Sequence, residues 1–176
     1  MIQAAKCPLN RRKSSRLNDD IPEEDAISVY VDRAFSRRTQ VAGCGGVLSR
    51  GNGATIESFL CRIEGRDSLT AEIWGCIWGL RRAWDNGFRM VRLLTDCTEL
   101  ISLCNSEDVH LHEDESLIRE LQSYLRRDWT VQLRYINRNE NKVADLLAKE
   151  ALSMGFGLQI LSNESTGHLL LERGTL

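Results

Sequence analysis

The chain has 176 residues, 42% of them hydrophobic and 27% charged, the composition of a globular domain large enough to bury a core and still carry a tail. A net charge of −2 excludes a strongly basic, sequence-indifferent nucleic-acid binder and leaves room only for a local basic patch. Six cysteines with no CxxC pair, and only three histidines, argue against a zinc cluster and for reduced thiols in an intracellular compartment, nuclear or cytoplasmic. No apolar run is long enough to span a membrane, so no membrane partner is expected, and Met1 to Asn10 lacks the apolar stretch of a secretory signal.

Residues 1–25 have no hydrophobic period. They carry five basic and five acidic side chains in blocks, among them Arg11-Arg12-Lys13 and Glu23-Glu24-Asp25, and are expected to form a flexible leader. Order begins near Ala26. Ile27, Val29 and Val31 alternate as in a strand that ends at Asp32. Gln40 to Ser49 and Ala54 to Arg62 form a hairpin around Gly51-Asn52-Gly53. The glycines of Gly43-Cys44-Gly45-Gly46 precede a hairpin rather than a helix, so close backbone packing or a bulge is expected of them instead of a phosphate loop.

From Ser68 the period becomes helical, with Leu69, Ile73, Ile77, Leu80 and Trp84 on one face and Asn86-Gly87 as a stop. Val91 to Asp96 is a strand, Thr98 to Cys104 a short helix, and a polar loop holds His110 and His112. Leu117, Leu121 and Leu125 mark a helix, Val131 to Ile136 a strand, and Val143, Leu147 and Ala151 a last long helix, after which Gly155 to Leu176 is weakly patterned. Trp74, Trp78, Trp84 and Trp129 are expected to pack on helices. A hairpin followed by β–α–β crossovers predicts an α/β fold, a mixed sheet with helices against it.

Four acids fall where one site would need them. Asp32 and Asp96 end strands, Glu72 lies in a first helical turn, and Asp145 is early in the last helix. Adjacent parallel strands bring their carboxyl ends to one edge of the sheet, where ligands bind. Carboxylates forced together repel, so such a cluster implies a cation. All-oxygen ligation suits Mg2+, with Mn2+ as an alternative, and two ions about 4 Å apart can drive phosphodiester hydrolysis.

The segments Tyr30-Val31-Asp32, Ala42 to Arg50, Thr70-Ala71-Glu72, Leu94-Thr95-Asp96 and Asn141 to Lys149 occur in one order. This ordered set resembles the type-1 ribonuclease H superfamily, and within it the ribonuclease H-like domains of plant reverse-transcriptase-related proteins. The resemblance covers residues 26–154, leaving 155–176 as a C-terminal extension. It implies a five-stranded mixed sheet flanked by helices, and a metal-dependent endonuclease that hydrolyses the RNA strand of RNA–DNA hybrids to leave a 3′-hydroxyl and a 5′-phosphate. It makes Asp32, Glu72, Asp96 and Asp145 the catalytic, metal-binding acids, and a monomer with a nucleic-acid partner is the expected form.

Two positions depart from the family pattern. A glycine often follows the first aspartate; here Arg33 does, and it is expected to pair with Asp32 in competition with a metal. A histidine often precedes the last helix; here Tyr135 holds the place, and tyrosine is a poor proton shuttle at neutral pH. His110 and His112 lie well upstream. Ser68 and Thr98 are candidates for reading the 2′-hydroxyls that distinguish RNA from DNA, and Arg138, with Arg33, Arg37 and Arg38, for contacting phosphates. Two other readings exist. One is a non-catalytic nucleic-acid-binding module of the same fold, retroelement-derived, favoured by Arg33 and Tyr135. The other is a 3′–5′ exonuclease, disfavoured because Ala34 stands where that class carries a glutamate.

Overall fold

The computed structural model describes residues 21, 22, 24–65 and 67–174. The leader expected over residues 1–25 lies mostly outside them. Strand β1 (Ile27–Ser36) pairs antiparallel with β2 (Val41–Ser49), which continues through the Gly51-Asn52-Gly53 turn into β3 (Thr55–Ile63). Asn52 Oδ1 accepts from the Ala54 amide at 3.1 Å, the self-bonded asparagine turn that such a sequence favours. Helix α1 (Ser68–Asp85) starts on Asp67, whose Oδ1 accepts from the Thr70 amide at 2.9 Å.

Strand β4 (Met90–Thr95) runs parallel to β1. Helices α2 (Thr98–Asn105) and α3 (Glu115–Leu125) lead to β5 (Thr130–Tyr135), parallel to β4. Helix α4 (Lys142–Ala151) follows a single 3-10 turn. The chain then adds β6 (Gly157–Ser162), antiparallel to β3, and α5 (Asn163–Glu172).

The result is a mixed sheet of six strands in the order β5-β4-β1-β2-β3-β6. The sequence reading of five strands is short by one, because the weakly patterned tail supplies β6 at the edge. A buried hydrogen bond of 2.6 Å between the Ser58 and Thr166 hydroxyls ties α5 to β3. Strand β1 also extends past Asp32 to Ser36, held there by β2 alone.

Alternation along the strands decides what each face covers. Val29 and Val31, both fully buried, face α1 in the main core with Ile73, Ile77 and Leu80. The other face, through Val47 and Leu60, receives Leu147 and Ala151 of α4. Trp84 and Trp129 meet edge to face at 5.1 Å, and Trp129 Nε1 donates to the Tyr124 carbonyl at 2.7 Å, so these rings serve packing. The five described cysteines are free and buried. No helix among the described residues is long and apolar enough to cross a membrane.

Gly45 explains the glycine run. A Cβ there would lie 2.5 Å from the Ala148 nitrogen and 2.6 Å from Leu147 Cβ, so α4 rests directly on the β2 backbone. The bulge in this hairpin falls instead between Leu48 and Ser49. Gly45→Ala should therefore destabilise the fold by about 1–3 kcal/mol through overpacking. Gly167→Ala, in α5 where a Cβ would meet nothing within 4 Å, should stabilise it by about 0.5–1 kcal/mol through helix propensity. Urea unfolding of both variants checks the pair, and a Gly45→Ala protein as stable as wild type would contradict the close contact.

Candidate active site

The parallel pairing of β1 with β4 ends at Tyr30 and Leu94, while β1 continues with β2. The sheet opens at this point, and the acids collect in the opening. Asp32 lies two residues beyond the split, and Asp96 follows the last residue of β4. Glu72 comes over the split from α1. One carboxylate oxygen from each of the three lies within 4.8 Å of the others. Asp32 and Glu72 are buried, Glu72 completely, and the Asp96 side chain is 4% exposed.

Asp145 is not one of the three convergent acids. It lies early in α4, with Oδ2 bonded to Lys149 Nζ at 2.5 Å. It nevertheless lines the same cavity, about 580 Å³, as Asp32, Arg33, Asp96 and Arg138. Asn141 sets the approach of its helix: fully buried, it donates from Nδ2 to the Val31 carbonyl at 2.7 Å, while its own carbonyl accepts from the Asp145 amide.

Every oxygen of Glu72 is bonded. The Thr95 hydroxyl donates to Oε1, and Arg33 Nη1 to Oε2 at 3.0 Å. The same Arg33 nitrogen reaches Asp96 Oδ1 at 3.3 Å, and Arg138 Nε donates to Asp96 Oδ2 at 3.0 Å. Asp32 accepts only the Arg33 amide, at 2.8 Å on Oδ1, and among the described residues no side-chain cation pairs with it. The expectation that Arg33 pairs with Asp32 is thus corrected. Neighbours along a strand point to opposite faces, and the Arg33 guanidinium goes to Glu72 and Asp96.

The electrostatics follow from this arrangement. Burial, reinforced by Glu72, Asp96 and Asp145 and partly offset by the Arg33 amide, raises the Asp32 carboxyl to about 7. Burial also raises Glu72, against the opposing pull of Arg33 and Thr95. Burial disfavours the Arg33 charge, but Glu72 outweighs it and the guanidinium is held more firmly protonated. The donor set fits a hard divalent cation: all donors are carboxylate oxygens, they converge, and among the described residues no side-chain cation pairs with Asp32. Arg33 stands as a competitor for two of the three acids.

The remaining sequence candidates divide. Ser68 lines the cavity, as do Arg37, Lys142 and Lys149; Thr98 is exposed and Arg38 does not line it. Tyr135 is exposed, at the end of β5 opposite Thr95. His110 lies near Glu115, and His112 Nδ1 accepts from the Asp114 amide at 3.0 Å; neither lines the cavity. Sequence reasoning missed Thr95 and Asn141 as positioning residues, although both stand inside the quoted motifs.

With this geometry in place, comparison with known proteins is direct. A family model described as reverse transcriptase-like matches residues 30–151. The chain belongs to this ribonuclease H-like family. An Arabidopsis thaliana protein provisionally named a ribonuclease H protein is 30% identical over 131 residues, which are 74% of this chain and 21% of that protein. The chain thus spans about a fifth of the length of that curated relative. Ribonuclease H1 from Halobacterium salinarum superposes with a TM-score of 0.60 at 27% identity, covering 73% of this chain and 98% of that one. A ribonuclease H1 isolated from compost, solved in complex with an RNA/DNA hybrid, gives a TM-score of 0.60 at 21% identity, covering 72% and 96%.

The raised Asp32 carboxyl gives a signed prediction. The folded state binds this proton more tightly than the unfolded chain, so in chelator stability falls as pH rises from about 4 to about 7. Asp32→Asn should leave stability nearly unchanged at pH 4 and raise it at pH 8 by about 1–3 kcal/mol, less than the full shift implies because the cavity admits solvent. Urea midpoints of both proteins across this range check it. A stability difference that does not vary with pH would contradict the account.

Proposed function

We propose that this chain is a divalent-metal-dependent endonuclease that hydrolyses the RNA strand of RNA–DNA hybrids. The observation that carries the reading is the convergence of the Asp32, Glu72 and Asp96 oxygens within 4.8 Å, with Asp145 on the wall of the same cavity, in a chain of the ribonuclease H-like family. Asp32, Glu72, Asp96 and Asp145 would hold Mg2+, with two ions as the working form and Mn2+ as a substitute. The bound metal supplies Lewis-acid stabilisation of the charge that develops on the phosphate oxygens.

The protein's own groups do the rest. Thr95 fixes the Glu72 carboxylate from behind. Ser68, at the cavity edge, offers a short hydroxyl for the 2′-hydroxyl side of the hybrid. Arg138, Arg37, Lys142 and Lys149 ring the acids with positive charge for the phosphodiester backbone. Water adds to phosphorus as the bond to the 3′-oxygen breaks, leaving a 3′-hydroxyl and a 5′-phosphate.

One observation favours a second reading, a non-catalytic binding module of the same fold. Arg33 already bonds two of the acids, and this offsets part of the cluster's charge without a metal. Purified protein should be tested on hybrid, double-stranded RNA and single strands side by side across Mg2+ and Mn2+ concentrations. The leading reading expects hybrid-selective cleavage that Asp96→Asn lowers by at least about a hundredfold with the fold retained. Hybrid binding without cleavage at any metal concentration would hand the site to the second reading.

A further inference from the structure

Arg33 Nη1 makes the contact a bridging cation would make. One nitrogen touches a carboxylate from α1, Glu72 at 3.0 Å, and one from the end of β4, Asp96 at 3.3 Å. The side chain is one-fifth exposed, and its acids are almost wholly buried. Arg138 holds the second Asp96 oxygen, but its side chain is 82% exposed. Both arginines line the cavity that opens to solvent beside Asp32 and Asp145. A guanidinium there has two possible anionic partners: the carboxylates it bonds now, and any phosphate that enters the cavity. A phosphodiester offers the planar fork a paired set of oxygens of matching geometry.

We infer that Arg33 is a tethered counter-cation that closes the acid cluster until a phosphodiester backbone draws it away, so that divalent-metal binding and nucleic-acid binding are coupled. The inference rests on the reading that this cavity receives nucleic acid. Arg33 already occupies Glu72 Oε2 and Asp96 Oδ1, so a metal held by Glu72 and Asp96 would have to compete with it for these carboxylates. Whatever removes the guanidinium raises the affinity of the acids for a cation. Linkage then requires the converse: a cation on the acids releases Arg33 and tightens the hold on phosphate by the same factor. Arg138 adds a weaker version of the same competition at Asp96 from a side chain that solvent reaches freely. The device suits a nuclease that must not assemble its metal site in the absence of substrate.

The test measures metal binding rather than turnover. Mn2+ affinity is read by electron paramagnetic resonance of the free ion for wild type, Arg33→Gln and Arg33→Lys. Each is measured alone and when saturated with a hybrid whose RNA strand is 2′-O-methylated, or with duplex DNA of the same length, saturation being confirmed by fluorescence anisotropy. Alone, Arg33→Gln should bind Mn2+ about tenfold or more tightly than wild type, with Arg33→Lys between them. Nucleic acid should tighten wild-type Mn2+ binding by a similar factor and that of Arg33→Gln by less than about threefold. Equal Mn2+ affinity of wild type and Arg33→Gln without nucleic acid would overturn the counter-cation. Nucleic acid that binds wild type but leaves its Mn2+ affinity unchanged would overturn the coupling alone. Failure of both probes to bind any of the proteins would sink the nucleic-acid reading and the coupling with it. If Arg33→Gln does not fold in chelator, the wild-type comparison with and without nucleic acid decides.

Discussion

A fully buried glutamate sets the terms for this molecule. Glu72 has no solvent contact, and an ionised carboxylate taken out of water costs several kcal/mol unless charge and hydrogen bonds replace its hydration. Three elements supply the replacement. Helix α1 brings the carboxylate, Thr95 at the end of β4 donates to one oxygen, and Arg33 from β1 donates to the other. Helix α1 can sit low enough for this because of its small residues. A Cβ at Gly79 would stand 2.6 Å from Val29 Cγ1, so a larger residue would lift the helix and pull Glu72 away from Thr95.

The alternation of β1 then divides the labour between the two faces of the sheet. Val29, Val31 and Arg33 belong to the α1 face, and Cys44, opposite Arg33 on β2, lies under Gly75 of α1. Asp32 belongs to the other face: Gly45 opposite it touches α4, the helix that carries Asp145. Because the sheet splits between β1 and β4, both faces reach one opening. The charge-compensated half of the site, Glu72 and Asp96 with Arg33, lies beside an uncompensated half, Asp32 with its raised carboxyl. A cation held by these acids would have to compete with Arg33 for Glu72 and Asp96, though not for Asp32.

Much of this was legible in the sequence because it follows periodicity. The change from period two to helical spacing at Ser68, the Gly51-Asn52-Gly53 turn and the apolar run before Asp96 led to the expectation of four acids at one edge of a mixed sheet, of which Asp32, Glu72 and Asp96 converge and Asp145 lines the same cavity. The partner of Arg33 was misread, since adjacency in sequence suggested Asp32 although a strand sends successive side chains to opposite faces. The end of β1 was hidden because only its pairing with β4 stops near Asp32; the antiparallel pairing with β2 has no sequence mark there. Strand β6 was missed for another reason. As an edge strand, mostly exposed, it has no burial alternation to read, and α5 buries only Thr166 and Leu170. The clamp from Asn141 to Val31 spans 110 residues, and no local pattern reports such a contact.

Arg33 and Glu72 form one energetic unit that holds β1 and α1 together at the site. A double-mutant cycle in chelator measures it directly, using Arg33→Gln, Glu72→Gln and the double variant by urea unfolding. Arg33→Gln alone leaves a buried charge without its partner and should cost about 3–5 kcal/mol. The double variant should cost far less than the sum of the single ones, with a coupling energy of about 1–3 kcal/mol. Additive effects of the two substitutions would contradict the account.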